Sequence, residues 1–450
     1  MPAIPTPPDP HSSGPADTGA LAGPAPGRRR LPIADAVRAS CGNTLEMYDF
    51  MVFGYYAAAI GRAFFPASGG AATSLLLSFA TFGAGFLMRP LGAVVLGSYV
   101  DRIGVRRGLM LTLSLMAVGT LVLALMPGYA TLGLVSPVLV LAARLLQGFS
   151  AGVELGSTSV YLGAIAPPGR KGLFVSFQSA SQQLAVMAAA ALGGLVSALL
   201  TPAQMAAWGW RVPLLAGCAI VPLLFVLRRS LGEADAAPAR HATAGAVLRD
   251  LLRHRGIAAR GAALVCMTTV SFYLITAYTP SFGRAELHLS AGTSLLVTFC
   301  VGLSNLVWLP VSGALSDRVG RRPIMLATAL LMALTAFPLM EWLAAAPSFG
   351  RLLAALLWLS ALYGFYNGAM IVFLTEYVPR EVRTSGFSVA YSLATCVGGF
   401  TPAICTLLIR RTGDVAMPGA WLTAAALVSL AGILAARGPH PAATANPAAP

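Results

Sequence analysis

The sequence predicts an all-α membrane protein: twelve transmembrane helices in two pseudo-symmetric six-helix bundles. Three observations carry that expectation. Of 450 residues, 57% are hydrophobic and only 10% charged, too apolar for a soluble globular chain of this length. Apolar stretches near the roughly 20-residue spanning length recur about twelve times, separated by short polar turns. The pattern G-x-x-x-D-R-x-G-x-R occurs at Gly97 to Arg106 and again at Gly313 to Arg322, each time directly after a long apolar run, as expected of a duplicated chain.

Residues 1–30 are rich in Pro, Gly, Ala and Ser, end in Arg28, Arg29 and Arg30, and lack the apolar core of a secretory signal. A disordered tail is expected over 1–38. The first bundle, 39–228, holds expected spans at about 39–62, 73–99, 108–127, 132–156, 172–200 and 208–228. Residues 229–259 are the longest charged connection and read as a linker. The second bundle, 260–436, holds spans at about 260–282, 290–315, 323–343, 352–377, 385–410 and 418–436, and 437–450 is a second expected tail.

Basic residues orient this plan, because short cytoplasmic loops are enriched in them. Arg28 to Arg30, Arg38, Arg102, Arg106, Arg107, Arg170, Lys171, the run from Arg228 to Arg260, Arg318, Arg321, Arg322, Arg380, Arg383 and Arg437 fall on one side. Only Arg62, Arg211, Arg284, Arg351, Arg410 and Arg411 fall on the other, which predicts both termini in the cytoplasm. In the repeated loop, Gly104 and Gly320 permit tight chain reversal, and Asp101 and Asp317 are placed to pair with a helix end.

Several function classes drop out. The formal charge of +14 does not point to nucleic acid, since it sits in short loops between apolar runs rather than in a groove with stacking aromatics. The lone lysine, Lys171, follows Arg170, so the Gly-Lys-Ser/Thr ending of a phosphate-binding P-loop is not present. Six cysteines without C-x-x-C spacing read as small core residues. None of the five histidines lies in an apolar segment, so no metal site or His relay is expected at membrane depth and any transported proton must ride on carboxylates. Neither a nucleophile with its base nor a cofactor fingerprint appears in a fitting context, so neither an enzyme nor a cofactor is expected.

At this point the chain resembles the major facilitator superfamily. Its signature loop between helices 2 and 3 is matched by Gly97 to Arg107, the second-half equivalent by Gly313 to Arg322, and a further signature, R-x-x-Q-G on helix 4, by Arg144, Gln147 and Gly148. Within the superfamily, Gly42 to Phe50 and Phe86 to Gly92 resemble the metabolite:proton symporter family. Gly148 to Gly156 and Gln178 to Gln183 are similar to its citrate and tricarballylate carriers. The chain departs from these relatives at Ala164, where they carry an acid, whereas Glu376 keeps the acid in the second half. The resemblance implies the major facilitator fold, proton symport of a small organic acid, and gating by Asp101, Arg102, Asp317 and Arg318.

The residues themselves support a charged centre. Glu46 and Asp49 share one face of the first helix with Asn43, Phe53 and Tyr56, and Asp49 lies roughly 15 Å above the inner surface. Arg144 on helix 4 reaches about the same depth. A carboxylate facing a guanidinium can exchange its proton against the charge of an anionic substrate, which assigns proton coupling to Asp49, Glu46 and Arg144. The alternative is a structural ion triad. Arg89 beside Pro90 is either a substrate contact or a snorkelling anchor. Glu154, close to the inner end of helix 4, and Glu376 are gate candidates.

A ligand with two or three carboxylates calls for guanidinium forks and neutral donors. Arg144 and Gln147, with Asn43 and the amide stripe Gln178, Gln182 and Gln183, supply them from the first half. Tyr273, Asn305 and Asn367 are candidates from the second. The competing reading of each amide is interhelical hydrogen bonding. The expected whole is a monomeric, bilayer-embedded inner-membrane importer of citrate with protons. Tricarballylate, a dicarboxylate, shikimate or an osmolyte stand as alternative substrates, and a metabolite sensor as the alternative class.

Overall fold

The computed structural model describes residues 32–103, 105–152, 154–219, 255–379 and 383–436, and among these every regular element is helical. We number the rods α1 to α12. α1 runs Pro32–Tyr55 and continues past Tyr56 as Ala57–Phe64. α2 is Gly70–Leu87 followed by Arg89–Ile103, α3 is Val105–Leu125, and α4 is Val135–Ala151 followed by Glu154–Ile165. α5 is Lys171–Leu199, and α6 opens with the π turn Met205–Gly209 and continues over 211–219, where its described part ends. In the second half, α7 is Arg255–Phe272, the π turn Tyr273–Tyr278 and Thr279–Ala285. α8 is Ala291–Val319, α9 Arg321–Ala345 and α10 Phe349–Tyr377. α11 is Arg383–Gly399 followed by Thr401–Thr412, and α12 is Met417–Ala435.

Among the described residues, eight helices are long and apolar enough to cross a membrane, and Met110–Leu125 and Val135–Ala151 are shorter apolar helices. Leu125, Leu134, Val138, Leu199, Leu334 and Leu434 stand outward, as a lipid-facing surface requires. Two boundaries correct the sequence reading. α1 begins at Pro32, inside the stretch expected to be tail, and α7 begins at Arg255, inside the expected linker. A span read from hydropathy stops where the apolar run stops, but the backbone bonds of a helix continue into the interface. Pro32 suits a first turn, whose N–H groups lack intrahelical partners anyway. Residues 1–31, 220–254 and 437–450, which make up most of both tails and the linker, lie outside the described residues.

The interrupted rods have identifiable causes. Pro280 has no N–H to give the preceding turn, α7 widens into its π turn there, and the Thr279 hydroxyl donates to the Ile275 carbonyl at 2.9 Å. α11 breaks at Phe400, between Gly399 and Pro402. Gly320 sits at φ +95°, a conformation that L side chains rarely adopt, and turns α8 into α9 as the loop motif predicted.

Glycines bring backbones together at the central positions. A Cβ on Gly148 of α4 would lie 1.7 Å from the Gly85 carbonyl oxygen of α2, and one on Gly152 would lie 2.3 Å from that of Arg89. The offset that carries Gly97 onto Gly313 also carries these two onto Gly364 and Gly368, which let α10 approach α8 at Trp308 and Leu309. Between the halves, α5 packs along α8, α11 against α2, and α1 against α7. The first of these contacts closes at Gly172 and Gly313, where an added Cβ on Gly172 would sit 2.2 Å from the opposite carbonyl oxygen.

Candidate functional site

α1, α2, α3 and α4 converge on a layer of buried charge. Arg89 and Arg144 are 1% and 0% exposed, Glu46 and Asp49 each 4%. The charges form two pairs. Arg89 Nη2 donates to Glu46 Oε1 at 2.7 Å, while Arg144 Nη1 stands 3.5 Å from Asp49 Oδ2. The two acids thus pair with two arginines rather than forming one triad around Arg144, and Arg89 is buried inside the bundle, beside the break at Met88 and the glycine contacts with α4, rather than at a snorkelling position.

Gln147 knits the second pair together. Its side-chain oxygen accepts from Arg144 Nη1 at 2.7 Å and its amide donates to Asp49 Oδ2 at 2.7 Å. Thr120 of α3 donates to Asp49 Oδ1 at 2.6 Å, and Gly119 beside it leaves room for the Gln147 side chain. Sequence reasoning missed Thr120, since one threonine in an apolar helix carries no signal. The arginines are also held from their faces. The Arg144 guanidinium lies 4.5 Å from the Phe50 ring centre, 4.4 Å from Phe53 and 5.2 Å from Phe82, and Arg89 lies 5.0 Å from Phe50 and 4.8 Å from Phe86. Such contacts offset part of the desolvation of a buried cation.

They do not satisfy its donors. Arg144 Nε and Nη2 and Arg89 Nε are buried without a hydrogen-bond partner. Unpartnered buried donors are costly and call for an explanation, and guanidinium N–H groups match a carboxylate by geometry and charge.

The amide residues divide between two uses. Asn43 donates to the Gln178 carbonyl at 3.3 Å and accepts from Gln182 at 3.2 Å, joining α1 to α5. Asn305 donates to Gln183 Oε1 at 3.1 Å and accepts from Ser360 at 2.7 Å, joining the halves across α5, α8 and α10. Asn43, Gln182 and Gln183 thus each make a hydrogen bond between helices. Gln178 Nε2 and Asn367 Oδ1 are buried without partners, although the Asn367 amide donates to Tyr363 at 3.2 Å. Tyr273 reaches the charged layer from α7, its ring 4.9 Å from Phe86 and 5.8 Å from Phe82.

At the end of the bundle carrying the repeated loops, the halves are tied together. Asp317 accepts from the backbone N–H groups of Gly172 (2.8 Å) and Leu173 (3.1 Å), capping the first turn of α5 from the opposite half. Its side-chain partner is Arg321 at 2.9 Å, whereas Arg318 is exposed. The one-turn spacing from Asp317 to Arg321 places them on one face. Glu376 lies 3.4 Å from Lys171 across the halves and 3.5 Å from Arg321. The side chains of Asp101, Arg102 and Glu154 lie outside the described residues.

A twelve-helix frame with paired halves, a tied loop end and a buried charge layer is an arrangement for moving a solute. Residues 40–403, and in a second placement 284–450, match the family described as Major Facilitator Superfamily. The chain belongs to the Major Facilitator Superfamily. It is a multi-pass membrane transporter and not an enzyme. Over 88% of its length it is 55% identical to the citrate-proton symporter of Klebsiella pneumoniae, covering 90% of that protein. It is 54% identical to that of Salmonella typhi, over 88% of this chain and 92% of the relative. Among solved structures, a D-xylose-proton symporter superposes with a TM-score of 0.73 at 18% identity over 92% of this chain and 98% of that one, a likeness of fold alone.

Proposed function

We propose that this superfamily member imports citrate together with protons across the bacterial inner membrane by alternating access, both termini lying in the cytoplasm and one chain forming the working unit. The observation that carries the reading is the enclosed Arg144 guanidinium, with Nε and Nη2 unpartnered, beside the Asp49 carboxylate. The level of identity to citrate-proton symporters supports citrate as the acid.

The chemistry follows from the two pairs. An incoming carboxylate competes with Asp49 and Glu46 for the guanidiniums. A buried carboxylate that loses its cation is stabilised by taking a proton, so substrate binding and proton binding favour one another. Arg144 and Arg89 hold the acid, Gln178 and Asn367 supply neutral contacts, and Tyr273 closes the site from α7. Gln147 keeps Asp49 and Arg144 in register while the site is empty. Asp317, Arg321, Lys171 and Glu376 close the cytoplasmic end, and the glycine contacts of α5 with α8 let the halves rock.

Uptake of radiolabelled citrate into proteoliposomes under an inward proton gradient tests this. Accumulation that collapses with a protonophore, and is competed by tricarballylate more than by shikimate, proline or betaine, is expected. Folded protein that accumulates a dicarboxylate, shikimate or betaine but not citrate would overturn the substrate.

A further inference from the structure

Thr120 has three polar neighbours within bonding distance. Its hydroxyl oxygen is 2.6 Å from Asp49 Oδ1, 3.0 Å from Gln147 Nε2 and 3.0 Å from the Met116 carbonyl one turn back. A hydroxyl has one hydrogen and two lone pairs, so it cannot donate to Asp49 and Met116 together. We propose that Thr120 is the positioning residue for the coupling proton, a hydroxyl that reverses its hydrogen bond when Asp49 changes protonation state. The inference rests on the reading of Asp49 as a proton carrier.

The balance closes in both states. With Asp49 ionised, Thr120 donates to Oδ1 and accepts from Gln147, so the carboxylate has Thr120, Gln147 and Arg144 around it. With Asp49 protonated, its new O–H donates to the Thr120 oxygen, the Thr120 hydrogen swings to the Met116 carbonyl, and the Gln147 contact remains. No buried O–H is stranded, which removes a penalty otherwise set against protonation in the bundle interior. The other groups facing Asp49 cannot do this. Arg144 from α4 has donors only, and the Tyr48 hydroxyl on α1 is turned to the Pro213 carbonyl, to which it donates at 2.9 Å. Glu46 with Arg89 lies one turn away. At the corresponding offset, the second half has Ala336.

Thr120→Val keeps the shape and removes the hydroxyl, and Thr120→Ser keeps the hydroxyl. Thr120→Val takes a charge-assisted hydrogen bond from the carboxylate and a weaker neutral one from the protonated acid, so on balance the proton is harder to release. The internal pH giving half-maximal net citrate uptake is therefore expected to move alkaline by up to about one unit, the difference between the two bonds. Net uptake should fall about tenfold more than citrate–citrate exchange, which needs no proton release, and Thr120→Ser should restore both readouts. Equal losses in uptake and exchange, or an unmoved pH midpoint in Thr120→Val, would overturn the role. Asp49→Asn separates the two levels: if it still accumulates citrate against a gradient, the proton-carrier reading fails and this inference with it. If Asp49→Asn is inactive in net uptake while Thr120→Val matches the native protein, only the Thr120 assignment fails.

Discussion

The two halves share a backbone plan and differ in the chemistry at its centre. In the first, α2 and α4 meet at glycines and present Arg89 and Arg144 to Glu46 and Asp49. In the second, α8 and α10 meet at the equivalent glycines, but Asn305 and Ser360 stand where the arginines were, and Ala262 and Val265 where the acids were. Ser360 donates to Asn305, and Asn305 donates to Gln183 of the first half. Packing was retained through the duplication while ionisable groups were confined to one side. The physical reason is cost: a buried pair repays its desolvation only with close geometry and further hydrogen bonds, which Gln147 and Thr120 supply in the first half. At the Gln147 position the second half has Tyr363.

The strongest way to break this comparison is to neutralise the charged side and its counterpart. Arg144→Gln should reduce citrate uptake at least about 100-fold, because it removes the substrate fork and leaves Asp49 without its cation. Ser360→Ala at the equivalent position should reduce it by no more than about fivefold, since a neutral side-chain hydrogen bond is worth about 1 kcal/mol. Comparable losses in proteoliposome assays would show that the halves contribute equally.

Asp49→Asn should abolish gradient-driven accumulation, a loss of about 100-fold, while citrate exchange persists, because the amide mimics a permanently neutral acid. Paired uptake and counterflow measurements read this directly. Loss of both would place Asp49 in binding rather than coupling.

Packing should differ less than charge. Gly148→Ala drives a Cβ to 1.7 Å from a backbone oxygen, whereas Gly364→Ala meets the Trp308 Cβ at 2.6 Å. Both should lower stability in detergent, seen as a fall in Tm, Gly148→Ala by about 1–3 kcal/mol and Gly364→Ala by less, because backbone yields less readily than a side chain. The reverse order would sink the equivalence drawn between the two glycine contacts.

The smallest effects belong at the loop end. Glu376→Gln removes partly exposed pairs with Lys171 and Arg321, which solvent screens to below about 1 kcal/mol. Asp317→Asn should matter more, because its carboxylate caps α5 across the halves and pairs with Arg321. Cross-linking between the ends of α5 and α8 should report weaker closure for Asp317→Asn than for Glu376→Gln.

Much of the frame was legible beforehand. Hydropathy located the spans, and the repeated loop announced the duplication. Among site residues, Asp49, Glu46 and Arg144 stood out because ionisable groups in apolar helices are rare and expensive. Their partners did not. Arg89 next to Pro90 read equally as a surface anchor, and only the packing of α2 on α4 through Gly92 and Gly152 shows that it points inward to Glu46. The amides were ambiguous for the same reason, since Gln178, Gln182 and Gln183 share spacing yet find different partners.

By itself, then, the sequence determined the solvent, the helix count, the two-fold plan and the presence of buried charge, because hydrophobic length, repeats and residue type are local properties. Which carboxylate meets which arginine, that Thr120 touches Asp49, and that Arg321 rather than Arg318 answers Asp317 were decided by tertiary structure. Those contacts depend on rotations and crossings of helices far apart in the chain, and a rotation of one residue position on a helix replaces one partner with another.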